Sequence, residues 1–351
     1  MTDITLQKRL HLYQMMHLIR RTEEVLMAEY HPANQMRCPI HFCVGQEAMP
    51  AALSNVMRRD DVLMSHYRSH GYYLAKGAPL PAMIAEFYGK ACGANLGVAG
   101  SMELGAHDHN FYSGAIVAGS LFIPLGSAFA QSYRGLDNIS ISVIGDGVFD
   151  EGVTYEVFNL AALHRLPLLI ICENNKYAAH TPVEKRLSVP LLAERARAFG
   201  LPALKLDGNN PELLLQTLEK IVPEIRAGAG PQFIEIETYR HCGHVGPGSD
   251  DDMAYRPAEE IAAWIARDPL VAMRKLLSKL AAQSELENID SEIEIQIAAA
   301  VAAAKKADFP DFSTIVATNS SGEYSALIKR FIQNPTTAFV GGQPEARLGP
   351  F

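Results

Sequence analysis

The chain is short of the features that would place it on a disulfide scaffold, in a membrane or on a nucleic acid. Its 351 residues hold five cysteines, Cys38, Cys43, Cys92, Cys172 and Cys242. That number is odd, the positions are scattered and no zinc-ligand spacing occurs, so reduced thiols and a cytoplasmic setting are expected. No apolar run approaches the roughly 20 residues that span a bilayer. The first residues, Met1-Thr2-Asp3-Ile4, lack a basic start, an apolar stretch and a small-residue cleavage site, so no signal peptide is expected. Positive charge is in deficit too. The formal net charge is -8 and lysines and arginines form no stripe, which argues against nucleic acid as a partner. Internal repeats and low-complexity tracts are absent.

What is there looks like a globular enzyme. Apolar residues make up 48% of the chain, and glycine and proline usage is ordinary. The length suits one large α/β domain or two ordinary ones. Helical spacing of Leu6, Leu10, Tyr13, Met16, Ile19 and Leu26 predicts a helix over 3–30, with Asp3 or Thr5 as its cap. Further helices are expected over 45–57, 79–88, 151–165, 190–199, 211–227, 257–266, 270–280 and 290–307. The uncharged stretch 115–133 is apolar on every side and predicts a buried central helix. Strands are expected over 61–65, 139–144, 166–172, 203–207 and 232–239. The segment 89–114 is Gly-rich and poorly periodic, and a loop of that length is usually functional. Residues 176–188 and 241–256 read as polar loops. Strands alternating with helices argue for an α/β fold, a doubly wound, mostly parallel sheet. One domain over 1–308 and a tail over 309–351 that packs on a partner are expected.

The centre of the sequence is a βαβ unit. A strand ends at Gly145-Asp146-Gly147, a helix follows, and a second strand ends at Glu173-Asn174-Asn175. Magnesium prefers a few protein oxygens together with phosphate oxygens. Asp146 offers a carboxylate, Asn175 an amide oxygen and Tyr177 a backbone carbonyl where the chain turns. Glycines on either side of Asp146 let the backbone approach phosphates, and the helix start favours an anion. The expected site is therefore a magnesium diphosphate site.

Gly-Asp-Gly followed at this spacing by Asn-Asn resembles the thiamine diphosphate motif. Further matches follow in order: Gly45-Gln46-Glu47-Ala48, Tyr67-Arg68-Ser69-His70-Gly71, Gly100-Ser101-Met102, Asn159-Leu160-Ala161-Ala162-Leu163, Asp207-Gly208-Asn209, and Thr238-Tyr239-Arg240 with Gly243-His244. As a set these are similar to the alpha subunit of two-subunit 2-oxo-acid dehydrogenase first components, of the pyruvate, acetoin and branched-chain types, over roughly residues 5–280. The resemblance implies a thiamine diphosphate-binding fold with Mg²⁺ on Asp146, Asn175 and Tyr177. It implies Tyr67, Arg68, Gly147 and Val148 on the diphosphate, and Val117 and Gly119 in a segment reaching the aminopyrimidine side. His70 and His244 would face the thiazolium as catalytic groups. The carboxylate on the aminopyrimidine would come from a beta subunit, in an α2β2 heterotetramer that passes its acyl unit to a lipoyl acyltransferase.

The chain departs from that pattern at several positions. Glu103 stands where the family has histidine, and His180 where small or hydroxyl residues are common. Val245 replaces a serine, which excludes phosphorylation at that point. Asp250, Asp251 and Asp252 make the following loop acidic, and one extra residue precedes Pro124. These changes leave the acceptor open between a lipoyl arm and a carbonyl compound such as a sugar or aldehyde. A non-catalytic binding subunit is the reading from another class, and the intact Asp146, Asn175, His70 and His244 argue against it.

Overall fold

The computed structural model describes residues 4–31, 36, 38–281 and 283–311. Among them, nine strands form: β1 Val62–His66, β2 Gly105–Ala106, β3 Phe111–Gly114, β4 Ser140–Gly145, β5 Leu168–Asn174, β6 Tyr177–Ala178, β7 Thr181–Pro182, β8 Ala203–Asp207 and β9 Gln232–Glu237. Seven of these make one sheet in the order β2-β3-β1-β4-β5-β9-β8. Every neighbouring pair is parallel except β2 with β3.

The sheet is covered on both faces, as parallel sheets are. Period-two alternation divides each central strand between two cores. Ile141 and Val143 of β4, with Leu169 and Ile171 of β5, face one of them. The helices Leu6–Tyr30, Ala48–Leu53, Leu80–Phe87, Pro211–Arg226 and Gln283–Lys306 supply much of the rest of that core. Ile144 of β4 and Leu168, Ile170 and Cys172 of β5 face the other, under Gly119–Tyr133, Val153–Leu163 and Leu192–Ala198. Both strands are therefore buried almost throughout, and their apolar residues made them legible in the sequence.

The first helix begins where Thr5 accepts a hydrogen bond from the Lys8 N–H, so the second of the two expected caps is the one used. Three expectations need correction, the third being 176–188, which holds β6, β7 and the short helix Val183–Arg186 rather than loop alone. Segment 89–114 is not structureless: it contains β2 and β3, and β3 pairs in parallel with β1. The stretch before β2 is held by one buried carboxylate. Glu86 accepts hydrogen bonds from the N–H groups of Asn95, Gly97, Ala99 and Gly100 at 2.7–3.0 Å. That contact carries no sequence periodicity. The second correction concerns 115–133. The helix spans Gly119–Tyr133 and is buried on one side only, with Phe122, Ile123, Phe129 and Tyr133 exposed. An all-apolar helix in a single chain with one bare face is physically incomplete. The expectations for 312–351 lie outside the described residues.

β1 pairs with β3 on one side and β4 on the other, so the chain reverses its direction of travel across the sheet there. Ligands bind at the carboxyl ends of strands at such a reversal. His66-Tyr67 and Gly145-Asp146 lie at those ends.

Candidate active site

A cavity of about 500 Å³ opens at the tips of β1, β4 and β5. Its wall includes Tyr67, Arg68, Val117, Asp146, Gly147, Val148, Asn175, Tyr177 and His244. The structure thus brings together nine residues singled out from sequence across nearly 180 positions of chain. Two others fall elsewhere. Gly119 is the first residue of its helix, and its neighbours Ala118 and Ser120 form the wall instead.

His70 is the larger correction. It is fully buried, with Nδ1 2.7 Å from Glu23 Oε1 and Nε2 2.8 Å from Ser101 Oγ. Both ring nitrogens are engaged, and the ring packs on Phe87 and near Phe42 behind the cavity. Glu23 also accepts the Cys43 N–H at 2.7 Å. His70 therefore binds the first helix to the Gly100-Ser101-Met102 turn, whose Met102 does reach the cavity. A sequence motif reports that a residue is needed near a site; it cannot report whether the ring faces the ligand or the wall.

Asp146 begins a 3-10 turn, Asp146–Asp150, directly after β4. The turn is fixed by short bonds: Thr154 Oγ1 donates to the Val148 carbonyl at 2.6 Å, and the Tyr155 hydroxyl to the Phe149 carbonyl at 2.9 Å. Asp146 is 2% exposed. Burial pushes its carboxyl up to about 6, although the Arg186 guanidinium pulls the other way. A buried carboxylate of this kind suits a cation. Asn175 Oδ1 accepts the Tyr177 N–H at 3.2 Å, which fixes the amide beside the turn. Tyr177 pairs in register with Pro182, which brings no N–H to the Tyr177 carbonyl. Its side chain turns away and donates to Glu260 at 3.2 Å.

Around the diphosphate-side residues, three groups appear that sequence reasoning missed. His41 lines the cavity, is 6% exposed, packs 4.5 Å from the Tyr67 ring and leaves Nδ1 without a hydrogen-bond partner among the described residues. Burial pushes its imidazole down to about 2, so it is neutral. Its position shortly before Gly45-Gln46-Glu47-Ala48 was the available signal. His66 accepts the Arg68 N–H on Nδ1 at 3.1 Å, so its Nε2 carries the proton and donates to Glu173 at 3.0 Å. Glu173, also in the wall, takes further bonds from Tyr72 at 2.5 Å and Gln46 at 3.3 Å.

His244 enters from the loop after β9. Burial and the neighbouring Arg68 push its imidazole down to about 3, so it too is neutral. Its backbone N–H donates to Asp250 at 2.5 Å, and its carbonyl accepts from Arg68 at 3.1 Å. Arg68 also donates to the Phe42 carbonyl, so its guanidinium holds two loops at the cavity wall. Asp250 takes a further bond from the Tyr255 hydroxyl at 3.2 Å and lies 3.7 Å from the His180 ring. Glu103, the departure from histidine, accepts the Ala115 N–H at 2.9 Å and so pins the segment that carries Val117.

A profile for dehydrogenase E1 components matches residues 14–313. The chain belongs to the dehydrogenase E1 component family. It is 33% identical to the pyruvate dehydrogenase E1 component subunit alpha of Porphyra purpurea over 323 residues, covering 89% of this chain and 93% of the relative. The corresponding proteins of Rickettsia felis and Rhizobium meliloti are 32% and 33% identical, over 84% and 86% of this chain and 90% and 87% of theirs. These findings agree with the alpha-type, 2-oxo-acid dehydrogenase reading made from the motifs, with thiamine diphosphate as the family's cofactor and a beta subunit as its partner. No helix among the described residues is long and apolar enough to cross a membrane.

Proposed function

We propose that this chain is the alpha subunit of a thiamine diphosphate- and Mg²⁺-dependent dehydrogenase that acts on pyruvate or a close 2-oxo acid. The observation that carries the reading is the convergence of Tyr67, Arg68, Asp146, Gly147, Asn175, Tyr177 and His244 on one cavity. The donor set fits the group. A buried carboxylate, an amide oxygen and a carbonyl without an N–H from its strand partner suit a hard octahedral cation that keeps some water and phosphate ligands. The orphaned Nδ1 of His41 and the arginine at the wall suit the diphosphate.

In this reading Asp146, Asn175 and the Tyr177 carbonyl hold the metal. Gly147, Val148, Tyr67, Arg68 and His41 hold the diphosphate, and Val117 borders the aminopyrimidine side. When bound, thiamine diphosphate supplies the electron sink for cleavage next to the 2-oxo group. His244, kept neutral by burial, presents a ring nitrogen that would hydrogen-bond the substrate oxygen as charge develops there. His70 acts from behind by fixing the Ser101-Met102 turn.

A beta subunit supplies the glutamate for the aminopyrimidine, in an α2β2 assembly. Support comes from the bare apolar face of Gly119–Tyr133, which continues from Ile116 and Val117 at the cavity rim. The acyl unit then passes to the lipoyl arm of an acyltransferase. The test is coexpression with the beta-type partner, followed by pyruvate decarboxylation with thiamine diphosphate and Mg²⁺, offering a lipoyl domain or an aldehyde as acceptor. Acetyl transfer to the lipoyl domain is expected. Transfer to the aldehyde alone would replace the dehydrogenase reading with a carbon–carbon bond-forming one.

A further inference from the structure

Arg186 is used neither by the motifs nor by the reading above. It ends the short helix Val183–Arg186 inside the segment read from sequence as a polar loop. Its side chain spans two carboxylates of the turn after β4. Nη2 bonds Asp146 Oδ2, and Nη1 lies 2.5 Å from Asp150 Oδ2. Nε reaches the Thr181 carbonyl at 3.3 Å. The Arg186 side chain is 11% exposed and that of Asp146 2%, so the bond between them is made largely out of water, while Asp150 stays 37% exposed.

The geometry points to Arg186 as a positioning residue for the metal-binding carboxylate, an inference that rests on the magnesium reading of the cavity. Two features support it. First, the guanidinium engages Asp146 through Oδ2, and no ion pair to Oδ1 is made among the described residues, so the same carboxylate can take a cation on its other oxygen. A ligating carboxylate is normally held by such an outer partner, and losing that partner typically costs 10–100-fold in metal affinity. Second, bonds to both Asp146 and Asp150 clamp the two ends of the Asp146–Asp150 turn. Gly147 and Val148 lie between those ends and face the cavity. One planar fork therefore sets the carboxylate rotamer and the phosphate-side backbone together, a task for which a lysine point charge is poorly shaped.

A second consequence concerns order of assembly. Arg186 belongs to the segment that carries Tyr177 at its other end, so the clamp also brings the carbonyl donor beside the carboxylate donor. The metal would then meet a site already arranged.

The experiment uses the full chain assembled with its beta-type partner and Mn²⁺ as the probe, read by electron paramagnetic resonance in the presence of thiamine diphosphate. Arg186→Gln is expected to weaken Mn²⁺ binding on the order of 10-fold or more. Activity at saturating metal should largely return, and Arg186→Lys should recover only part of the affinity. Asp150→Asn, which weakens the second anchor of the Arg186 fork and leaves the arginine in place, should give a smaller loss and serves if Arg186→Gln does not fold. Wild-type or tighter Mn²⁺ binding in Arg186→Gln, or in Asp150→Asn should that be the variant available, overturns the inference; tighter binding would make the arginine a competitor for the site. Asp146→Asn is run in parallel. If it abolishes binding while Arg186→Gln leaves binding unchanged, the metal site stands and the positioning role fails. If Asp146→Asn also binds normally, the metal reading falls and the inference with it.

Discussion

The floor and the roof of the cavity are built by different means. The floor is the row of strand tips at β1, β4 and β5, where Gly145 is in register with Glu173 and both strands are buried between two apolar cores. The roof is the pair of segments 176–188 and 241–256. It is held by polar side chains, among them Arg186 on Asp146 and Asp150, Asp250 on His244 and Tyr255, Arg68 on the His244 carbonyl and Arg256 on the Ser249 carbonyl. Geometry at the floor is inherited from the whole sheet, so a change there alters chemistry before shape. The roof rests more on individual contacts, helped by the packing of Tyr177 and Tyr255 against Tyr239 and Trp264, and the bonds to His244 set where it sits.

Predictions follow from that contrast. Asp146→Ala, at the floor, should lower divalent-metal affinity by more than roughly 100-fold, beyond what an outer partner is worth. Its thermal midpoint should hold or rise slightly, because a buried carboxyl pushed up to about 6 is ionised at neutral pH only at a cost to the folded state. Calorimetric titration with Mg²⁺ and thiamine diphosphate checks it, and undiminished binding would dissolve the metal assignment.

Gly243→Ala strikes the roof. A Cβ there would fall 2.4–2.7 Å from the Asp250 carboxylate, so the bond holding the His244 N–H must give way. Misplacing a catalytic group in this manner costs roughly 100-fold. We expect kcat/KM to fall by about that factor with little loss of stability. A large fall in stability with normal kcat/KM would show the roof to be structural instead.

His70→Ala should do the reverse. Removing the ring strands Glu23 and Ser101 in a fully buried place, and the expected cost is about 3 kcal/mol in denaturant unfolding. Turnover at saturating cofactor should stay within about tenfold of normal, since the ring lies behind the wall. A loss beyond about 100-fold in a fully stable variant would return His70 to the chemistry and break the division drawn here.

The smallest effect is on pH. His41 and His244 are held down at about 2 and about 3 in the folded chain by burial. An unfolded histidine titrates near 6.5. As pH falls below 6.5 the unfolded state takes up protons that the folded state refuses, so stability declines on the acid side and is fully present above it. His41→Asn should flatten that decline between about pH 6.5 and 3 in urea titrations. An unchanged slope would mean that His41 is not held neutral.

Much of the floor could be read from sequence because its physics is local and periodic. Ile139-Ser140-Ile141-Ser142-Val143-Ile144 and Leu166 to Cys172 declare buried strands, and Gly145-Asp146-Gly147 and Asn174-Asn175 mark their ends. What the sequence left out was direction and long-range pairing. β3 lay unrecognised because four residues in a Gly-rich region offer little pattern, and its identity comes from pairing with β1. His70 carries a motif, yet only packing decides that its ring turns to Glu23 and Ser101. His41 and His66 have no distinctive spacing, yet the fold sets them at the wall.

Sequence alone determined the α/β alternation and the strand ends that gather polar groups, because hydrophobic period and turn chemistry act over a few residues, and the order of its motifs carried the resemblance to the family. Tertiary structure alone decided which imidazole faces the cavity, which carboxylate holds the segment before β2, and that Arg186 spans Asp146 and Asp150. Those outcomes are set by bonds between side chains far apart in the chain, and no local pattern encodes them.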